Sequence, residues 1–163
     1  MLAKIIGESM YRCCSFFGEI KVDDITPEMA CEIYDFFEYL IIHKNVDVFF
    51  SASESDFDLF CEGMLFAIKE RFSKIKIIKF ADKNYKNTFE DLKYQHVITY
   101  QSTNYIKRCK DMARISDYVL LDSLCDSKIG FEIALVACFC KSNTKVYDLN
   151  LIMKRAAKLL SAN

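Results

Sequence analysis

Short apolar runs rich in β-branched and aromatic residues alternate along this chain with longer stretches of helical period. That alternation dictates an α/β architecture. The runs lie near Tyr11–Phe17, Val46–Phe50, Lys76–Phe80, Tyr118–Asp122 and Lys145–Leu149. Each is continuous rather than alternating, the pattern of a strand covered by helices on both faces, hence of a parallel sheet. The first run is the most telling. Tyr11-Arg-Cys-Cys-Ser-Phe-Phe-Gly18 ends at one of only four glycines, and a helix follows, opened by Thr26 and the sole proline, Pro27. Open α/β sheets begin in this way and bind phosphates at that first turn. Here the turn reads Phe17-Gly18-Glu19-Ile20, with one glycine where a phosphate cradle wants several.

The first helix is expected from about Pro27 to His43, with Met29, Ile33, Phe36, Phe37, Leu40 and Ile41 inward. A second follows Ser55, which can cap it, and buries Phe57, Phe60, Met64, Ile68 and Phe72 or their neighbours. Asp56 and Asp58 suit its first turn because carboxylates are favourable at a helix N-terminus. A third spans roughly Ser102 to Ile115, a fourth Gly130 to Lys141, and a last helix Leu151–Leu160 docks on the sheet through an apolar stripe of Leu151, Ile152, Leu159 and Leu160, a membrane-surface or partner helix being the alternative. The connection from Ala81 to Gln101 is long and polar, which suggests a lid or binding segment, and His96–Tyr100 can add a short extended piece. No repeat or linker divides residues 1–163, so a single domain is expected.

A net charge of −1 offers no footprint for nucleic acid, and no partner of that kind is expected. The eight cysteines form no Cys-x-x-Cys pair and several sit in apolar runs, so they read as buried, reduced thiols. With His43 and His96 as the only histidines, no metal site is expected, and no motif calls for a cofactor. No run approaches the ~18 apolar residues of a membrane span. Met1–Met10 lacks the long apolar core of a signal peptide and carries Glu8. A cytoplasmic protein without a membrane partner is the expectation.

The ordered segments resemble the SLOG superfamily, the Rossmann-like group that joins the DNA-processing protein A domain and the lonely-guy phosphoribohydrolases. They resemble most its small bacterial branch, which begins with a Cys-Cys-Phe-x-Gly-His-Arg strand and turn. The counterpart here is Cys13-Cys14-Ser15-Phe16-Phe17-Gly18-Glu19-Ile20. The branch continues with Val-Asp-x-Phe and Gly-Asn-x-Gly-x-Phe-Asp, matched by Val46-Asp47-Val48-Phe49 and by Ala52-Ser53-Glu54-Ser55-Asp56-Phe57-Asp58. Its Lys-Arg-Asn-x-x-Met and Ser-Asp-x-Val segments correspond to Lys107-Arg108-Cys109-Lys110-Asp111-Met112 and Ser116-Asp117-Tyr118-Val119. Gly130 alone answers to its Gly-Gly turn. The likeness spans about Met10 to Leu149, and family proteins often start just before this first strand, which makes Met10 an alternative start to Met1.

The resemblance implies a single-domain, Rossmann-like three-layer sandwich with about five parallel strands in the order 3-2-1-4-5, flanked by helices. Its crevice, at the switch point, would gather Gly18, Glu19, Ser53, Ser55, Arg108, Asp122, Ser127 and Gly130 as ligand-binding residues. The ligand-facing positions depart from the family pattern. Glu19 and Ile20 replace a histidine and an arginine, and Ala52, Ser53 and Ser55 replace Gly, Asn and Gly. Arg108 is the best candidate for an anion contact because its fork binds phosphate bidentately, the alternative being a pair with a surface carboxylate such as Asp111 or Asp117. The function implied is binding of a nucleotide or nucleotide derivative, as a sensor or adaptor. One alternative is a nucleoside monophosphate phosphoribohydrolase or deoxyribosyltransferase, with Glu132 as the catalytic carboxylate. The other is a degenerate protein-interaction domain. A homodimer through helix faces is compatible with all three, and no residue pattern names the face.

Overall fold

A computed structural model describes residues 11–86, 88–99, 103–122 and 128–161. Six strands form one all-parallel sheet: β1 Arg12–Phe17, β2 Val46–Ser51, β3 Lys76–Ala81, β4 His96–Thr99, β5 Tyr118–Leu121 and β6 Lys145–Asp148. Their spatial order is β4-β3-β2-β1-β5-β6. Among the described residues, five helices flank them: α1 Pro27–Lys44, α2 Asp56–Arg71, α3 Tyr105–Ile115, α4 Lys128–Val136 and α5 Leu149–Ser161.

The five expected strands lie in the expected order, and the sheet gains one strand. Residues 96–99 pair parallel to β3, Ile78 opposite His96 and Phe80 opposite Ile98, and extend its edge. Adjacent residues of each buried strand feed opposite layers, because side chains alternate across a sheet. Cys14 and Phe16 pack with Phe49, Ile77 and Leu120 beneath α1 and α2. Cys13 and Phe17 join Val48, Phe50, Val119 and Leu121 beneath α3 and α4. Burial on both faces explains why the runs read as continuously apolar.

Local chemistry sets the helix ends. Thr26 accepts the Met29 N–H at 3.2 Å, Pro27 occupies the first turn, and Asn45 closes α1 in the left-handed region at φ 54°. Five of the six expected inward residues of α1 are buried, and Ile41 is half-buried. Helix α3 begins at Tyr105 with Asn104 as its cap, later than expected. Helix α4 ends at Val136 and tightens into a 3-10 turn over Ala137–Phe139, short of Lys141.

Helix α5 departs most from expectation. Only Leu149 of the whole helix is buried, and Ile152 and Met153 pack partly against the α1 layer. Leu151, Leu159 and Leu160 of the expected stripe face outward. Among the described cysteines, Cys13, Cys14, Cys61 and Cys109 are buried, Cys31 and Cys138 are exposed, and all are free thiols. Among the described residues no helix is long and apolar enough to cross a membrane.

Candidate functional site

Strands β1, β2 and β5 deliver their carboxyl ends to one edge of the sheet. Gly18 leaves β1 there and Asp122 leaves β5. Asp122 is fully buried; its N–H donates to the Phe17 carbonyl at 3.2 Å. Its Oδ2 accepts the Glu19 N–H at 3.3 Å and the Ile20 N–H at 2.8 Å. Backbone N–H groups of this kind, at the first turn of an open α/β sheet, are the ones that cradle a phosphate. In this protein they hold an internal carboxylate instead.

Gly18 has a packing reason of its own. A Cβ there would stand 2.7 Å from Asp122 Cβ and 2.7 Å from Phe57 Cδ1, closer than real Cβ contacts allow. The turn is therefore filled by a ring and a carboxylate. Helix α1 does not begin at this turn either: a 3-10 turn over Val22–Asp24 intervenes, and Thr26 caps the helix downstream.

The β2–α2 loop supplies the second wall. Ser53 adopts φ 52°, a region costly for a side-chain-bearing residue, and donates its N–H to Ser51 Oγ at 3.0 Å. Ser55 and Asp58 form a reciprocal capping box. Asp58 N–H donates to Ser55 Oγ at 3.0 Å, while Asp58 Oδ2 accepts the N–H groups of Glu54 and Ser55 at 3.3 Å each. Asp58 is fully buried, and that burial, against the hydrogen bonds, lifts its carboxyl from the ordinary 3.8 to about 8.

Tyr105, at the start of α3, ties these walls together. Its hydroxyl lies 3.1 Å from Asp58 Oδ1 and 3.4 Å from both the Gly18 carbonyl and Ser55 Oγ. Burial first, then the neighbouring Asp58, pushes its phenol well above the usual value. One turn on, Arg108 is 1% exposed. Its Nη2 is paired with Glu54 Oε2, and the Glu54 side chain is 47% exposed. Arg108 Nε and Nη1 are buried with no hydrogen-bond partner among the described residues. Burial holds this guanidinium below its usual pKa.

Gly18, Glu19, Ser55 and Asp122 thus share one hydrogen-bonded cluster through Asp122 and Tyr105, and Arg108 joins it through Glu54. Ser53 turns the other way, donating its hydroxyl to Glu62. Gly130 lies inside α4, the third residue of that helix, rather than in a turn before it. Glu132 is half-buried on α4, and among the described residues no hydrogen bond joins it to the cluster. Ser127 lies outside the described residues, as does Cys125.

The sequence reading missed Asp58 and Glu62 as buried groups and Tyr105 as a hub. Helix α2 buries Phe57, Asp58, Cys61, Glu62, Leu65 and Ile68. Those positions form one helical stripe with two carboxylates in it, four residues apart. The Ser55-x-x-Asp58 spacing was the available signal, since a capping box places its acid beside the loop it closes.

The connection after β3 is pinned to the sheet by a hydrogen-bonded network. Tyr85 donates its hydroxyl to Asp91 Oδ1 at 2.6 Å, and Lys79 Nζ reaches the Tyr85 hydroxyl at 2.7 Å and Asp91 at 3.4 Å. Burial opposes the Asp91 charge, but Tyr85, the Thr88 N–H and Lys79 outweigh it and hold its pKa below the usual range. Tyr94 reaches across to donate to Glu62. A cleft of about 190 Å³ remains beside Gly63, and two of its three carboxylates, Glu62 and Asp91, are already engaged by the protein. No protein-family model and no curated protein matches this chain.

Proposed function

We propose that this chain is a SLOG-type Rossmann-like module of the cytoplasm that binds a nucleotide or nucleotide derivative as a sensor or adaptor, with Arg108 as its anion contact. The observation that carries this is the state of Arg108, a fully buried guanidinium at the switch-point edge with two nitrogens unpartnered among the described residues. A buried cation with two of its three nitrogens unpartnered is costly, and a phosphate or carboxylate can grip it bidentately once Nη2, shared by both edges of the fork, is released from Glu54. Glu54 holds the third nitrogen with a side chain that is half in solvent, so an incoming anion can displace it.

The first turn offers a ligand phosphate no free N–H from Glu19 or Ile20, because Asp122 already takes both. The ligand is therefore held from the β2 and α3 side. The experiment is a thermal-shift panel of nucleoside mono-, di- and triphosphates, ADP-ribose and dinucleotides. A ligand present at about 100 times its dissociation constant adds roughly 2.7 kcal/mol, a shift of a few degrees. The expected result is a selective shift that grows in Glu54→Gln, which removes the internal competitor, and disappears in Arg108→Lys, which keeps the charge but loses the fork. No shift in either the native chain or Glu54→Gln would overturn the proposal.

A further inference from the structure

Helix α5 rests on α1 along a narrow seam and leaves much apolar surface uncovered. Leu159 is 71% exposed and Leu160 79%. Two open grooves of about 360 and 390 Å³ flank the seam, sharing Glu32 and Ala156; Leu159 lines the first and Leu160 the second. Charge is divided between the same two helices. Helix α1 carries Glu28, Glu32 and Asp35, and α5 carries Lys154, Arg155 and Lys158. Among the described residues, none of these six takes part in an ion pair.

We propose that this face is the interface of a symmetric dimer of this chain, each copy laying its acidic α1 against the basic α5 of its partner. Two-fold symmetry makes an interface self-complementary, so a surface that carries both an acidic and a basic stripe meets its own opposite twice over. Glu32 and Arg155 line the same groove, stay unpaired within one copy, and are left available for that exchange. An anionic membrane or a nucleic acid approaching Arg155 would also meet Glu32 in the same groove and be repelled by it. The outward leucines supply the apolar centre that a polar rim of charges needs.

Sedimentation equilibrium on the full chain tests this. The expected mass at high micromolar concentration is twice the 19.0-kDa chain, falling toward one copy as salt screens the charges. Reversing α5 (Lys154→Glu, Arg155→Glu, Lys158→Glu) makes the face wholly acidic, and reversing α1 (Glu28→Lys, Glu32→Lys, Asp35→Lys) makes it wholly basic. Each variant alone is expected to be monomeric, and their equimolar mixture to recover the dimer. Leu160→Glu, at a position too exposed to disturb the core, is expected to weaken association without lowering the melting temperature of the dilute, monomeric chain. A native chain that stays monomeric, or a dimer indifferent to both reversals and to Leu160→Glu, overturns the proposal. So does a dimer that forms only after residues 1–10 are deleted, since the face would then belong to the chain's own N-terminal segment.

Discussion

The carboxylate of Asp122 accepts the backbone N–H of Ile20 at 2.8 Å, and the same oxygen also takes the N–H of Glu19. A carboxyl group supplied from the end of β5 thus occupies the place an open α/β sheet reserves for a ligand's phosphate. Removing it should expose both donors. Asp122→Ala is expected to lose about 2 kcal/mol, in the range for leaving a buried polar group unsatisfied. Added phosphate or sulfate should stabilise the variant more than the native chain, recovering part of that loss. Urea denaturation with and without the anion measures both effects.

Asp58 makes stability depend on pH in an unusual direction. Its folded pKa of about 8 lies above the ordinary 3.8, so the folded protein binds a proton that the unfolded chain has released between those values. The contribution is fully present below about pH 4, declines as pH rises through the neutral range, and is gone above about pH 8. Asp58→Asn, which keeps an acceptor for the Ser55 and Glu54 N–H groups, should flatten that part of the profile. Denaturant midpoints measured from pH 5 to 9 in both proteins give the comparison, and an unchanged slope would exclude Asp58 as its source.

Two glycines should respond oppositely to alanine. Gly18→Ala forces a methyl against Asp122 and the Phe57 ring, an overpacking expected to cost about 1–3 kcal/mol. Gly63 sits within α2, and a Cβ there meets nothing within 4 Å. Gly63→Ala should therefore stabilise by about 0.5–1 kcal/mol through helix propensity alone. Matched melting curves decide each sign.

The pinned connection after β3 should loosen when Asp91 is removed. Asp91 gathers the Tyr85 hydroxyl, the Thr88 N–H and Lys79. In Asp91→Ala, cleavage between residues 82 and 95 under limited proteolysis is expected to accelerate several-fold, while hydrogen exchange in β1 and β2 stays slow. Uniform acceleration across the chain would mean that the network supports the whole sheet rather than this segment.

The alternation of apolar runs and helical periods, read from the residues alone, determined the α/β class, five of the strands and the approximate helix spans. It could do so because a strand buried on both faces and an amphipathic helix each leave a local imprint. The edge strand His96–Thr99 was half legible: its residues are exposed or half-buried, so they lack the continuous run that marked the others. The candidate site was less legible still. Arg108, Ser55 and Asp122 could be named, but not that Glu54 pairs the first, that Tyr105 bridges toward the second, or that the third closes the β1 turn. Each of those contacts joins residues far apart in the chain. Likewise, only the packing of α5 on α1 decided which face of its apolar stripe was covered. A side chain's local pattern records whether it seeks burial or water; which partner satisfies it is settled when the sheet order brings distant segments together.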